Sequence, residues 1–431
     1  MTELSRRAFL AAIAAAAPLA LAACSGASSQ GASSSGDVAK ASASSSAAAD
    51  ASSAGAQQPS GTVGGAHIIG VAVYNPADNE VRMFKSYLID YVAGLGFDDV
   101  RFMYSGAINS VEGLISFIKS VADQGGAGVM SFTSLDLKAE VEECASHGMY
   151  YMLASGTVSE DSFSSVADNE YFLGSVGPGV PMEYAAGTKM VQNYVANKVG
   201  NKYFVMSGGA ALGNEMHYQR TLGVLDALEA GYGINLGDTK ELAGTADAVT
   251  ATDKDVTVTI APGYVSRDEM KQEVLTALKA DSYEIVLSAL PVGPIMEELR
   301  AAKVRIAQVD CYSEDNLILF NSGQLDYIAG KYGSLVGPSF AAMYNAVTGH
   351  AADFREDGKA FKIVQRMWES SSKEDYDEKY ELASNAVTPA YNLEDIYSVC
   401  IDYTPTATMD DLKTLAQASS YEECKARRAE S

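Results

Sequence analysis

From residue 68 onward, short apolar runs alternate with longer stretches of helical periodicity, and this alternation constrains the fold more than any single motif. Residues 68–74 read IIGVAVY and stop at Asn75-Pro76. Val81, Phe84, Leu88, Tyr91 and Val92 then recur on one helical face, and Gly94 and Gly96 end it. Strands are predicted at 100–104, 128–132, 149–154 and 171–176, with helices at 111–122, behind Ser110 as N-cap, and at 137–146. A second set follows: helices at 181–199, 215–230, 268–279 and 295–302 alternate with strands at 203–206, 256–260, 285–289 and 306–309. Strands joined by helices run parallel, because a helical crossover returns the chain to the same end of the sheet. Two sets predict an α/β chain with two doubly wound parallel-sheet lobes. Ligands bind at the carboxyl ends of such strands. Two facing lobes therefore make a cleft that a hinge can close.

The predicted strand ends carry polar residues where a cleft needs them. Tyr74, Asn75, Thr133, Ser155 and Asp310 are candidate ligand-binding residues. Tyr218, in the helix at 215–230, and Lys331, just past the strand after Asp310, join them. Residues of these types also serve as turns and helix caps. A carboxylate at 310 accepts hydrogen bonds and an ammonium at 331 donates them. The alternative is that these two pair with each other as a hinge salt bridge.

The amino terminus is not part of this pattern. Residues 1–23 have a charged start and a short Ala-rich apolar run, the composition of an export signal. Arg6-Arg7 within SRRAFL resembles the twin-arginine motif, with an ordinary Sec signal as the alternative. Leu21-Ala22-Ala23-Cys24 resembles the bacterial lipoprotein box, which implies diacylglycerol on Cys24 and an outward-facing membrane anchor. Residues 25–66 are Ser, Ala, Gly and Gln almost throughout, too polar and small to offset chain entropy, and are predicted to be a disordered tether.

Composition excludes several functions. The formal charge is −24; removing residues 1–23 takes away Arg6, Arg7 and Glu3 and leaves −25. Such a surface does not attract nucleic acid. The four histidines, His67, His147, His217 and His350, have no metal-ligand spacing, so neither metal nor cofactor is expected. Neither a GxSxG elbow nor a Walker A lysine occurs, and no enzymatic activity is expected. Gly208 to Gly213 reads as a glycine turn ahead of a helix, with its amides toward the cleft. The acidic run from Glu374 to Glu381 reads as a solvated helix face. Cys144 is expected to be buried on a helix; pairing among Cys144, Cys311, Cys400 and Cys424 is left open, Cys400 with Cys424 being one possibility.

The order of these segments resembles the type I periplasmic binding proteins. Ile69-Gly70-Val71 running to Asn75-Pro76 is similar to that family's first strand and loop. Val309-Asp310 resembles its run into a ligand-binding Asp, and residues 325–331 its return crossing, where the position of Lys331 touches ligand. The resemblance implies two lobes joined by three crossings: 67–177 with 311–345, and 178–310 with 346–403, ahead of a tail at 404–431. It also implies a monomer that passes a small polar ligand, sugar-like in the favoured case, to an ABC transporter permease. Ala77-Asp78 and Ser155-Gly156 depart from the aromatic and Asp-Arg positions of sugar receptors. Residues 181–187 (PMEYAAG) are similar to nucleoside-binding lipoproteins of the basic membrane protein type, and a sensor feeding a membrane kinase is a further alternative.

The lipoprotein box gives a direct test. Cys24→Ala should move the protein from membranes to the soluble exported fraction on fractionation; a variant that stays acylated and membrane-bound would refute the anchor.

Overall fold

The computed structural model describes residues 62–63, 65–197 and 199–429. The predicted export signal, Cys24 and the tether up to residue 61 lie outside the described residues. The chain begins with β1 (Thr62–Val63), paired antiparallel with the start of β2 (Ala66–Val73). The last residues assigned to the tether thus belong to the first sheet. β3 (Val100–Ala107), β4 (Gly128–Ser131), β5 (Tyr150–Ala154) and β6 (Phe172–Gly177) follow, each after a helix or short helical turn. They pair in parallel in the order β3-β2-β4-β5-β6.

After β6 the chain crosses to a second lobe through the helix Val180–Asn197. There β7 (Lys202–Gly208), the edge hairpin of β8 (Val249–Asp253) and β9 (Val256–Pro262), β10 (Ile285–Ser288), β11 (Arg305–Cys311) and β12 (Leu325–Lys331) build the second sheet. Its order is β12-β11-β10-β7-β9-β8. Apart from the antiparallel strands β1 and β8, the two sheets share one topology, with the first parallel strand of each lobe, β2 or β7, between its second and its third. Central strands such as β4, β6 and β10 are buried at every position. This is why they read as continuous apolar runs rather than alternating ones.

Sheet pairing moves two expected boundaries. β12 pairs in parallel with β11, Asp310 opposite Gly330 and Cys311 opposite Lys331, so residues 311–331 belong to the second lobe and not the first. The second crossing comes after Lys331. The helix Gly337–Asn345, buried at every residue, packs on β4, β5 and β6 of the first sheet. β13 (Phe361–Val364) then extends that sheet beside β6, so residues 346–364 belong to the first lobe and not the second. The third crossing leads to β14 (Trp368–Ser370), antiparallel to β12. A strand and an extended crossing carry the same apolar signature, and only the hydrogen-bonded partner separates them.

Residues 404–429 are not a free tail. Thr408 and Asp411 form a capping box for the helix Met409–Gln417, which packs on the helix Gly337–Asn345 and on β13. The Ser419 carbonyl accepts hydrogen bonds from the Tyr332 hydroxyl (3.2 Å) and from Trp368 Nε1 (2.9 Å). Ser419 Oγ accepts one from the Arg366 backbone amide (2.7 Å). Tyr332 and Trp368 stack at 3.9 Å, and Tyr421 meets Trp368 edge-on. The carboxyl-terminal segment thus fastens the second and third crossings together.

Cys144, Cys311, Cys400 and Cys424 are all buried free thiols, Cys144 on a helix face as expected. Burial pushes each thiol above its ordinary pKa, which suppresses the thiolate that disulfide exchange requires. Among the described residues, no helix is long and apolar enough to cross a membrane.

The helices Val180–Asn197 and Glu215–Tyr232 touch backbone to backbone. A Cβ on Gly187 would lie 2.0 Å from the Arg220 carbonyl oxygen, and one on Gly223 would lie 2.2 Å from that of Tyr184. Gly187→Ala must push these helices apart. It should cost about 1–3 kcal/mol and lower the melting temperature in calorimetry; an unchanged melting curve would contradict this packing.

Candidate ligand cleft between the lobes

Both sheets point their carboxyl ends at one cleft of about 590 Å³. In a doubly wound sheet the loops diverge where the strand order reverses. In the first lobe this switch lies between β2 and β4, and in the second between β7 and β10. The loop after β2 brings Tyr74, Asn75, Asp78 and Glu80 to the cleft; the loop after β4 brings Phe132, Thr133 and Asp136; and the loop after β5 brings Gly156 and Thr157. From the second lobe come Asn214, His217 and Arg220 after β7, Tyr264 and Arg267 after β9, Pro291 after β10, Asp310 in β11 and Lys331 at the end of β12.

Lys331 connects the lobes. It is 3 % exposed, and its Nζ donates to Glu80 Oε1 (3.1 Å) and to the Ser155 carbonyl (2.8 Å), both in the first lobe. The alternative pairing of Lys331 with Asp310 is therefore not what forms. Asp310 instead accepts from Asn316 Nδ2 at Oδ2 (2.8 Å), and its Oδ1, also buried, has no protein partner. Burial, then the nearby Asp78 carboxylate, push the Asp310 carboxyl up to about 7. Burial also raises Asp78 and Glu80, with Lys331 acting against it at both. Asp78 caps the helix Asn79–Ser86 by accepting from the Glu80 amide (2.9 Å) and faces the Tyr74 hydroxyl, whose pKa is raised well above normal, first by burial and then by Asp78.

A second contact between the lobes lies at the first crossing. Arg220 Nε donates to Glu183 Oε2 (2.6 Å) and its Nη1 to the Ala289 carbonyl (2.8 Å). Thr157 Oγ1, from the first lobe, lies 3.0 Å from Glu183 Oε1 and 2.7 Å from the Pro178 carbonyl. His217 accepts from the Gly209 amide at Nδ1 (2.9 Å), so its proton sits on Nε2. Burial, then Arg220 and Lys331, hold its pKa well below the usual range. His217 is thus a neutral donor at the cleft wall, and the glycine turn spends the Gly209 amide on orienting it. Arg267 lies over the Tyr264 ring (4.8 Å), and Tyr264 accepts from Asn214 Nδ2 (3.1 Å).

Of the residues expected from sequence, Tyr74, Asn75, Thr133, Asp310 and Lys331 line the cleft. Ser155 does not: its backbone has φ +60°, its side chain is buried, and its carbonyl anchors Lys331. Tyr218 does not either. It borders a separate small depression with Ala210 and Gly213, and its ring packs against the second-lobe core. One residue turns a helix side chain by about 100°, so His217 and Arg220 take the cleft face instead. Sequence reasoning also missed Asp78, Glu80, Thr157, Tyr264 and Arg267. Asp78 and Glu80 read as an ordinary cap and first-turn acid, while the pairing of Arg220 with Glu183 in the run 181–187 needs the helix contact to be visible.

No protein-family model matches the chain, and no curated protein matches it by sequence. Solved structures do match. A sugar ABC transport substrate-binding protein from Bordetella parapertussis is 16 % identical with a TM-score of 0.51, covering 77 % of this chain and 98 % of that one. An ABC transporter solute-binding protein from Bacillus halodurans with bound myo-inositol is 16 % identical with a TM-score of 0.51, covering 73 % and 98 %. A periplasmic solute-binding protein from Actinobacillus succinogenes with bound D-allose is 12 % identical with a TM-score of 0.52, covering 72 % and 99 %. The fold is the type I periplasmic binding protein fold. At these identities the likeness is one of architecture: the expected two lobes and three crossings are present, and the neighbours are solute-binding proteins.

The Asp310 carboxyl sets a pH dependence. An unfolded aspartate titrates near 3.9, so between about pH 4 and 7 the folded chain keeps a proton here that the unfolded chain has lost. This group's contribution therefore falls as pH rises through that window and stays low above it. Asp310→Asn should stabilise the unliganded protein at pH 8 by on the order of 2–4 kcal/mol, seen as a higher melting temperature, and the gain should vanish near pH 4. Equal stability of the two proteins at both pH values would refute the assignment.

Proposed function

We propose that this chain is an extracytoplasmic solute-binding lipoprotein, which captures a small polar ligand, sugar-like in the favoured case, between its lobes and hands it to the permease of an ABC importer. The observation that carries this reading is the cleft itself. Donors and acceptors from the carboxyl ends of both sheets converge there, and Lys331 already reaches from one lobe to the other. A volume of about 590 Å³ lies within the range of small-molecule sites. Lys331, His217 Nε2 and Arg267 can donate to ligand oxygens, and Asp310, Asp78 and Asn75 can accept from hydroxyls. Charged hydrogen bonds of this kind contribute roughly 1.5–3 kcal/mol each. Ligands bound by the neighbours, such as D-allose and myo-inositol, support the sugar-like preference.

The same reading assigns the amino terminus. Cys24 would carry the lipid, and the Ser/Ala/Gly segment after it would join that anchor to the folded part. Nucleotide hydrolysis would belong to the importer's ATPase subunits. This chain supplies capture and release through a change in the angle between its lobes.

Binding should be visible as compaction. A panel of pentoses, hexoses and inositols should contain a compound that lowers the radius of gyration in solution scattering. At a hundredfold excess over Kd it should also stabilise the fold by about 2.7 kcal/mol. A saturating compound that leaves the radius unchanged would overturn the hinged-capture reading.

A further inference from the structure

The hinge end of the cleft holds an unbalanced group of charges. Asp78, Glu80 and Asp310 stand together there, each affecting the titration of Asp310 or affected by it, and Lys331 is the ammonium among them. Lys331 is committed to Glu80. The Asp310 side chain, 6 % exposed, has satisfied one oxygen through Asn316 and left Oδ1 buried without a partner. Cys311 on its own strand and Tyr376 from the helix Lys373–Ala383 also face Asp310, and Tyr74 stands beside Asp78; burial keeps each of these neutral.

Among the described residues that line the cleft, Asp310 Oδ1 is the one buried carboxyl oxygen without a partner. Arg220 pairs with the buried Glu183. Arg267 covers the Tyr264 ring, Lys138 pairs with Glu142, Asp136 caps its helix, and Glu215 accepts from Gln219. The unsatisfied buried carboxyl oxygen is therefore local to the hinge end, where Asp78 and Glu80 add to its negative field. We infer that the ligand carries a protonated nitrogen, and that this ammonium or amidinium lies against Asp310 Oδ1 with Asp78 and Glu80 on either side. The inference rests on the proposed solute-capture role and narrows its ligand class from neutral sugars to basic ones.

Three other occupants fit less well. A neutral polyol could donate a hydroxyl to Oδ1 but would leave the ionised form of Asp310 without a counter-charge under a closed cleft, and buried charge is tolerated when it is paired. An anion would add repulsion where carboxylates already outnumber ammonium groups. A bare metal ion lacks its ligand set: among the described residues, no three His, Cys, Asp or Glu side chains are grouped to hold one. A cation bearing hydrogen-bond donors satisfies both the charge and the orphaned oxygen. Its polar remainder would then meet His217 Nε2 and Asn75, and its apolar faces Phe132 and Tyr264.

Titration calorimetry at pH 7 on the purified chain decides this. The probes are D-glucosamine, D-galactosamine and D-mannosamine, each set against its parent hexose and its N-acetyl derivative. At least one amine should bind tenfold or more tightly than both of its uncharged counterparts. Asp310→Asn should erase that preference, and Asp78→Asn, which keeps a helix-capping side chain, should reduce it; circular dichroism and melting curves establish that both variants fold. Hexoses that bind as tightly as their amines, or amines that fail to bind while hexoses do, would overturn the inference and leave the solute-capture reading standing. Absence of binding by every probe would overturn both. A preference for amines that survives Asp310→Asn would overturn the assignment to this carboxyl.

Discussion

The Lys331 ammonium group bridges the two lobes. It stands at the end of the last parallel strand of the second sheet, yet its hydrogen bonds go to Glu80 and Ser155 of the first lobe. A buried ammonium must find acceptors, and here the acceptors belong to the other lobe. That requirement sets how the ends of β12, β2 and β5 approach one another. It fixes the floor of the cleft and explains the φ of +60° at Ser155, where the backbone turns its carbonyl toward the charge. The Arg220–Glu183–Thr157 chain does the same at the first crossing, using a fully buried carboxylate.

Around this floor the molecule divides stiffness unevenly. The crossings after β12 and β13 are clamped by aromatic stacking of Tyr332 on Trp368 and by the three hydrogen bonds received at Ser419. The loop after β4 exposes Leu135 at the cleft, while Glu140 accepts from the Leu135 and Asp136 backbone amides. The glycines at 187 and 223 extend the rigid part by letting two helices lock at backbone contact, which in turn holds Arg220 in position.

Much of the architecture is legible in the residues. Parallel strands buried on both faces read as apolar runs, helices between them read as amphipathic, and the alternation occurs twice. The lobe boundaries are harder to read. Residues 325–331 look like a crossing because nothing local distinguishes an extended chain bonded to β11 from one passing between lobes. The carboxyl-terminal helices are short and charged on their outer faces, so their buried Leu412, Tyr421 and Cys424 are easily overlooked. At the cleft, residues that end strands, such as Tyr74 and Asp310, are visible because strand ends are. Those on helices, such as His217 and Arg220, depend on a rotation of the helix that its mixed pattern does not fix, and Tyr218 illustrates the resulting error of one position.

The discontinuity of the lobes has a consequence for synthesis. The second sheet draws all its strands from residues 202–331 apart from its short edge strand β14. The first sheet begins at residue 62 but waits for β13 at 361–364, and for the buried helix at 337–345 that covers it. A chain emerging from the ribosome therefore has the partners of its second lobe together before those of its first. The lobe that is translated earlier is completed later, with an unpaired β6 edge in the meantime. Because the clasp at Ser419 follows every strand of both sheets in the chain, the two halves acquire their final mutual orientation only after all of those strands have been made.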